Sequence, residues 1–362
     1  MAQVGVDLRD RSVPATVESV ARHARVSRQT VSNAINAPDR LRPETLARVL
    51  ASIDALGYRP NRVARSLRTR STRMLGYRIE PAREGVSSPV LDRFVHALAA
   101  TARDAGYHIV LFTSDDETTE LGTYEDLIRT NAVDAFVLSG TRYDDPRQRW
   151  LADRGAPSVA FGRPWGAEGD PGPWVDVDGA AGTSQVVDHL VELGHRRIGF
   201  VGSPPDKAVG DDRLDGWRRA MRKHGLPTRD LWLRGVDSLE SGASAAGRLL
   251  ERAEPPSAIV CASDTLAAGC LHRAHELGQR VGTDLALVGF DDSPVAGFLQ
   301  PGLSSVRQPL EEVGREIVRL LTSVLAGERP RTPHVLLTPT LVVRESSSFT
   351  PAAIATRRKR RP

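Results

Sequence analysis

Cysteine is nearly absent: two occur, Cys261 and Cys270, nine positions apart in one apolar segment, with no CxxC pair and no histidine at ligand spacing beside them. That excludes a disulfide framework and a zinc module, and it marks both thiols as packing residues of a reducing compartment. No run of eighteen or more apolar residues occurs, so no membrane-spanning helix is expected. Asp7, Asp10 and Glu18 stand where an export leader would be basic and then apolar, which places the expected protein in the cytoplasm. Also missing are a G-x-S-x-G elbow, a Walker loop, a Rossmann glycine fingerprint and a metal-spaced cluster. No catalytic residue, cofactor or metal is therefore expected, and the chain reads as a non-enzyme. His189 and His195 read as helix-end residues, and His272 and His275, which share a helical side without a nearby acid, as solvated.

What is present is a chain of 362 residues, too long for one ordinary domain, with 40% apolar and 26% charged residues, as in a soluble globular protein. Its net charge of +4 conceals strong polarity, because residues 1–75 hold 14 arginines against 6 acids. Five more positives close the chain at Arg357, Arg358, Lys359, Arg360 and Arg361, which leaves the middle about nine negative. A positive field concentrated at one folded end points to an anionic polymer bound there. The isolated C-terminal run reads as a solvated, disordered tail.

Between Thr16 and Leu56 the apolar residues follow helical periodicity in three short blocks. Thr16 caps the first, with Val17, Val20, Ala21 and Ala24 inward. Ser27 caps the second, with Val31, Ala34 and Ile35 inward. Three residues, Ala24 to Val26, separate these two, the length of a helix-turn-helix turn. The third begins at Pro43, buries Leu46, Val49, Leu50, Ile53 and Leu56, and stops at Gly57. The second helix then turns Arg28, Gln29, Ser32 and Asn33 away from its core, with Arg28 and Gln29 in the first turn, where a recognition helix meets base edges. An arginine fork pairs with guanine, and glutamine or asparagine with adenine, at roughly 1–3 kcal/mol of discrimination per good contact.

The text TVESVARHARVSRQTVSNAIN followed by RPETLARVLASIDALGYRPNRVARSL resembles the DNA-binding head of the lactose-repressor (LacI/GalR) family of bacterial regulators. The resemblance implies DNA contacts by Thr16, Ser27, Arg28, Gln29, Thr30, Ser32 and Asn33. It also implies a hinge helix beginning at Asn61 and running through Arg62, Val63 and Ala64, with Leu67 as a minor-groove wedge. Such a segment is too short to be a stable helix alone in water, so its folding can be coupled to operator binding. Two positions depart from the family: Arg25 replaces a common turn glycine, at a cost of roughly 1 kcal/mol if the backbone is left-handed there. Asn33 replaces a common arginine, which predicts an altered operator preference.

From Met74 onward short apolar strands alternate with amphipathic helices, the rhythm of parallel sheets covered on both faces. Strands are expected at 75–79, 108–112, 135–138, 159–161, 198–201, 258–261 and 285–290. Helices are expected at 91–105, 182–193, 213–224, 265–277 and 310–325. Roughly 270 residues exceed one compact sheet domain, so two doubly wound lobes are expected. The segments FGRPWG, VDVDGAAG, HLVELGHRRIGFVG, RLDGW, CASDTLAAG and VGFDDSP resemble the same family's effector domain, which implies a periplasmic-binding-protein-like body with ligand between the lobes. Carried over residue by residue, Arg213, Ser263 and Asp291 match family ligand contacts, with Arg163 in FGRP a fourth candidate. A guanidinium fork beside a carboxylate suits sugar hydroxyls. Each has a rival reading: Ser263 and Asp291 as caps, Arg163 as a surface residue. Asp237 stands where an aromatic often stacks on ligand, and Val90 and Leu91 replace aromatics that would hold a flat purine.

The expected organisation is an N-terminal extension (1–15), a head (16–59), a hinge (60–72), a body (73–346) and a basic tail (347–362). The tail has no leucine heptad, so a homodimer on double-stranded pseudo-palindromic operator DNA is expected rather than a tetramer. A transport receptor would share the body but need an export signal and have no use for the head.

Overall fold

The computed structural model describes residues 15–59, 71–79, 89–114, 116–166, 172–205 and 208–349. The extension before residue 15, the hinge positions Asn61, Arg62, Val63, Ala64 and Leu67, and the tail from residue 350 lie outside the described residues. The chain divides into two compact units at Thr72 and Arg73.

The first unit contains α1 (Val17–Ala24), α2 (Arg28–Asn36) and α3 (Pro43–Ala55). Their shared core is Val20, Ala21, Ala24, Val31, Ala34, Val49 and Tyr58, with Leu46, Ile53 and Leu56 packed against it. Small residues let α1 and α2 approach closely. Leu50, expected inside, is 48% exposed, because the buried face of α3 runs along Leu46, Val49 and Ile53 and leaves Leu50 at its edge.

The second unit holds two six-stranded sheets. The first lobe contains β1 (Met74–Arg78), α4 (Pro89–Asp104), β2 (His108–Phe112), α5 (Glu117–Arg129), β3 (Ala135–Leu138), α6 (Arg147–Ala152), β4 (Ser158–Phe161) and β5 (Trp174–Val177). The second contains α7 (Gly179–Glu192), β6 (Ile198–Gly202), α8 (Ala208–Lys223), β7 (Trp232–Arg234), α9 (Leu239–Leu250), β8 (Ala258–Cys261), α10 (Asp264–Glu276), β9 (Ala286–Asp291) and β10 (Ser304–Arg307). The chain then recrosses: α11 (Leu310–Leu325) and β11 (His334–Leu337) belong to the first lobe, and β12 (Thr340–Val342) to the second.

Strand order is β11-β5-β4-β3-β1-β2 in one sheet and β12-β10-β9-β8-β6-β7 in the other. Central strands such as β3 and β8 are buried at every position because helices cover both faces, which is why they read as unbroken apolar runs. The sheets are parallel except at β12, which pairs antiparallel with β10. The reason is connectivity: β10 runs out of its lobe, whereas β12 enters that lobe directly from β11. Three crossings therefore join the lobes, and two of them touch, since the Asp178 amide donates to the Leu337 carbonyl at 2.8 Å.

Candidate nucleic-acid interface and effector cleft

In the head, capping fixes where each helix starts. Thr16 Oγ1 accepts the Ser19 amide at 3.2 Å while Ser19 Oγ accepts the Thr16 amide at 2.8 Å, a closed capping box. Ser27 Oγ accepts the Thr30 amide at 3.1 Å and pairs with the Thr30 hydroxyl at 2.9 Å. Arg48 of α3 donates to the Ala24 carbonyl at 3.0 Å, tying the third helix to the turn between the first two. With Val31 and Ala34 facing inward, Arg28 and Gln29 are exposed and Ser32 and Asn33 half-buried on the other side of α2. Gln29 Nε2 donates to Asn33 Oδ1 at 2.9 Å, so the two amides hold each other on one face. Arg28 rests on Glu18 at 2.8 Å with both side chains largely exposed, a pair weak enough for a nucleic acid to replace.

In the body, the carboxyl ends of β8 and β9 and the first turns of α8 bring Arg213, Ser263 and Asp291 together. Arg213 donates to the Ala262 carbonyl, lies 3.5 Å from Asp291 Oδ1, and stacks 3.7 Å over the Phe290 ring. Its Nε is buried without a hydrogen-bond partner. Gln308, in the second crossing, donates to Asp291 at 2.7 Å. Burial pushes the Asp291 carboxyl up to about 7, against the pull of Arg213, so the group holds its charge poorly until a donor arrives. Ser263 caps α10 by accepting the Leu266 amide at 3.1 Å and also donates to Asp237. Arg163 does not join this cluster: it donates to Asp176 at 2.6 Å and, across the lobes, to Asp212 at 3.2 Å, while stacking 4.5 Å over Trp165.

Two models of known families match the chain: "Bacterial regulatory proteins, lacI family" over residues 16–61 and "Periplasmic binding protein-like domain" over residues 187–347. The HTH-type transcriptional regulator CelR of Thermobifida fusca is 36% identical over 335 residues, 91% of this chain and 98% of that one. The chain belongs to the lacI family of bacterial regulatory proteins. Catabolite control protein A of Priestia megaterium is 31% identical, covering 92% and 99% of the two chains. A solved complex of the transcriptional regulator CelR with cellobiose has a TM-score of 0.70 at 34% identity, and the lac repressor dimer bound to operator and the anti-inducer ONPF has 0.78 at 25%. Each covers 92% of this chain and 99% of its own. This member of the family is thus a DNA-binding transcriptional regulator with an effector-binding body.

The lacI-family motifs did not disclose the residues that join the lobes. Asp211 and Asp212 precede Arg213 directly; Tyr143 of the first lobe donates to Asp211 at 3.2 Å, and Arg234 pairs with the same carboxylate. Arg93 of α4 donates to the Asp292 carbonyl at 3.1 Å. Two adjacent acids in the early turns of α8, directly before the candidate residue Arg213, were the available signal. His272 and His275 are exposed and His195 follows the end of α7, as expected, but two details differ. His272 has Glu276 one turn later at 3.3 Å, and His195 is fully buried, bonded to Ser257 at 2.9 Å and edged by Phe349, so that burial lowers its pKa to about 4. Cys261 and Cys270 are free and buried. No described helix is long and apolar enough to cross a membrane, and no group of three or more potential ligands gathers for a metal among the described residues.

Proposed function

We propose that this regulator is a cytoplasmic homodimeric repressor of carbohydrate-utilisation genes whose operator affinity is set by a small sugar-like effector. Arg28 and Gln29 read base edges in the major groove, with Thr16, Ser27, Thr30, Ser32 and Asn33 positioning α2. Asn61 to Ala64 and Leu67 form the operator-coupled hinge. The effector lies between the lobes on Arg213 and Asp291, with Ser263 beside them and Arg163 at the margin.

The observation that carries the effector reading is the Arg213–Asp291 pair: a guanidinium with one unused buried donor, 3.5 Å from a carboxyl that burial makes hard to charge, at the carboxyl ends of parallel strands. A diol supplies the missing acceptor and donor together. Because three crossings couple the lobes, a ligand touching both of them changes operator affinity by its differential affinity for the two lobe arrangements. The relative solved with cellobiose supports a saccharide.

The test is fluorescence anisotropy on DNA from upstream of the regulator's own gene and its neighbours, with and without neutral sugars. Arg28→Ala and Gln29→Ala each lose sequence preference, by roughly 1–3 kcal/mol per contact. Arg213→Ala keeps DNA binding and loses the effector response. Specific binding unaffected by both head variants, or a normal response in Arg213→Ala, sinks the assignment.

A further inference from the structure

We propose that the interlobe site selects an uncharged saccharide and excludes phosphorylated or carboxylated sugars. The inference rests on the sugar-effector reading and sharpens it. Charge balance carries it. Four guanidiniums around the site are each engaged, with only the Arg213 Nε among them buried and unused. Arg163 holds Asp176 and Asp212, Arg234 holds Asp211, and Arg213 holds Asp291 and the Ala262 carbonyl. Arg93 is turned onto the Asp291 and Asp292 carbonyls at 3.4 and 3.1 Å.

Two further carboxyls act on the same place. Asp237 accepts from Ser263, and Asp264 sits buried at the start of α10, accepting from Ser305 at 2.5 Å and from the Ser293 amide at 2.6 Å. Both raise the Asp291 pKa through space, which locates their field at the ligand position. Acids therefore outnumber bases around the site. The helix N-termini that would otherwise cradle an anion are taken by the chain itself. Asp178 caps α7 through the Ala181 amide at 2.8 Å, and Ser263 caps α10 with Asp264 in its first turn. A phosphate or carboxylate would meet an acidic field with a single unused guanidinium N–H, on Arg213, to receive it; hydroxyls, which donate as well as accept, suit it.

The full-length protein is tested by calorimetry and operator anisotropy with glucose, cellobiose, maltose and lactose, each beside its 6-phosphate and its carboxylated derivative. At least one neutral sugar binds and shifts operator affinity. Its charged derivatives bind at least tenfold more weakly at low salt, and the gap narrows at high salt because screening weakens the repulsion. Asp237→Asn narrows it too. A charged derivative binding as tightly as its parent overturns the inference while leaving a sugar-controlled repressor. A gap indifferent to salt and to Asp237→Asn also overturns it, since exclusion would then be steric. If no saccharide of either kind binds while operator binding persists, the sugar reading itself fails and takes this inference with it.

Discussion

In the first lobe the space beside the sheet is filled by aromatic rings and a buried ion cluster, whereas in the second it is closed by helices that nearly touch. Tyr124 of α5 edges onto Phe112 and Phe136 at 5.5 and 5.1 Å and hydrogen-bonds Glu120 at 2.7 Å. Glu120 in turn receives Arg147, whose guanidinium is also held by Asp145 and by the carbonyls of Ser139 and Gly140. In the second lobe a Cβ on Gly242 would meet the Leu266 carbonyl at 2.2 Å, and one on Gly269 the Leu239 carbonyl at 2.1 Å, so α9 and α10 interlock through their glycines. Gly216 of α8 passes equally close to Ala180 of α7. The same chain topology thus tolerates two interiors, one vulnerable to an unpaired charge and the other to added volume.

That contrast breaks most visibly at Arg147. Arg147→Met takes the shared cation from Asp145 and leaves Glu120 only Arg78, at 3.1 Å, and it costs about 3–5 kcal/mol in urea unfolding. Adding Glu120→Gln and Asp145→Asn recovers a large part of it, since the two carboxylates that Arg147 neutralised then carry no charge. If the triple variant is no more stable than the single one, the loss is one of packing and the comparison is wrong. Next in size is Gly242→Ala, which forces α9 from α10 and costs about 1–3 kcal/mol. A similar methyl at Gly314 would sit 3.2 Å from the Ala97 backbone of α4, a milder crowding that costs less.

The same difference decided what the sequence disclosed. Strands at 108–112, 135–138 and 258–261 and the helix at 310–325 fall where apolar periodicity placed them, because their buried faces are apolar. α5 was not singled out because its inward face carries Glu120 beside Tyr124, and α9 because its inward face is Gly242, Ala245 and Ala246. Neither looks hydrophobic until its partner is present. At the site, Arg213 and Asp291 stood in recognisable motifs. Asp211, Asp212, Tyr143 and Arg93 were passed over, since each acquires its meaning only when residues 49 to 199 positions apart meet across the lobes.

A smaller effect separates the lobes by pH. Asp291 and Asp264 of the second lobe have carboxyls raised by burial to about 7 and about 6, whereas Asp145 of the first, though pushed up by burial, is held below its usual range by Arg147. For the raised pair the folded state binds protons more tightly than the unfolded one. Their contribution is full below about pH 4 and is lost as pH rises through 6 and 7. The free regulator should lose stability between pH 5 and 8 at up to roughly 1.4 kcal/mol per pH unit for each raised carboxyl, and Asp291→Asn should remove about two-thirds of that loss. An unchanged slope would show that Asp291 titrates normally. Asp145 contributes in the opposite sense, at acid pH, where its protonation weakens the first lobe.

The smallest effect lies in the head, where one turn design occurs twice with different residues. After α3, the Gly57 amide bonds Asp54 O and the Tyr58 amide Ile53 O, each at 3.0 Å, with Gly57 at φ 58°. After α1, the Arg25 amide bonds Arg22 O at 3.3 Å and the Val26 amide Ala21 O at 3.0 Å, with Arg25 at φ 54°. The hydrogen bonds are the same, but only arginine has a Cβ crowding its own carbonyl, at roughly 1 kcal/mol. Arg25→Gly relieves that strain and gives back part of it through the freer unfolded chain, for a net gain of about 0.5 kcal/mol. Slower amide exchange across α1 and α2 reads this out, with Arg25→Ala as the control that keeps the Cβ and gains nothing. Because the side chain is exposed and cationic, the same change should weaken non-specific DNA binding and lower its salt dependence. Stability and affinity moving in opposite directions would mean that the strained arginine serves the DNA, whereas a loss of both would mean that the turn is not strained.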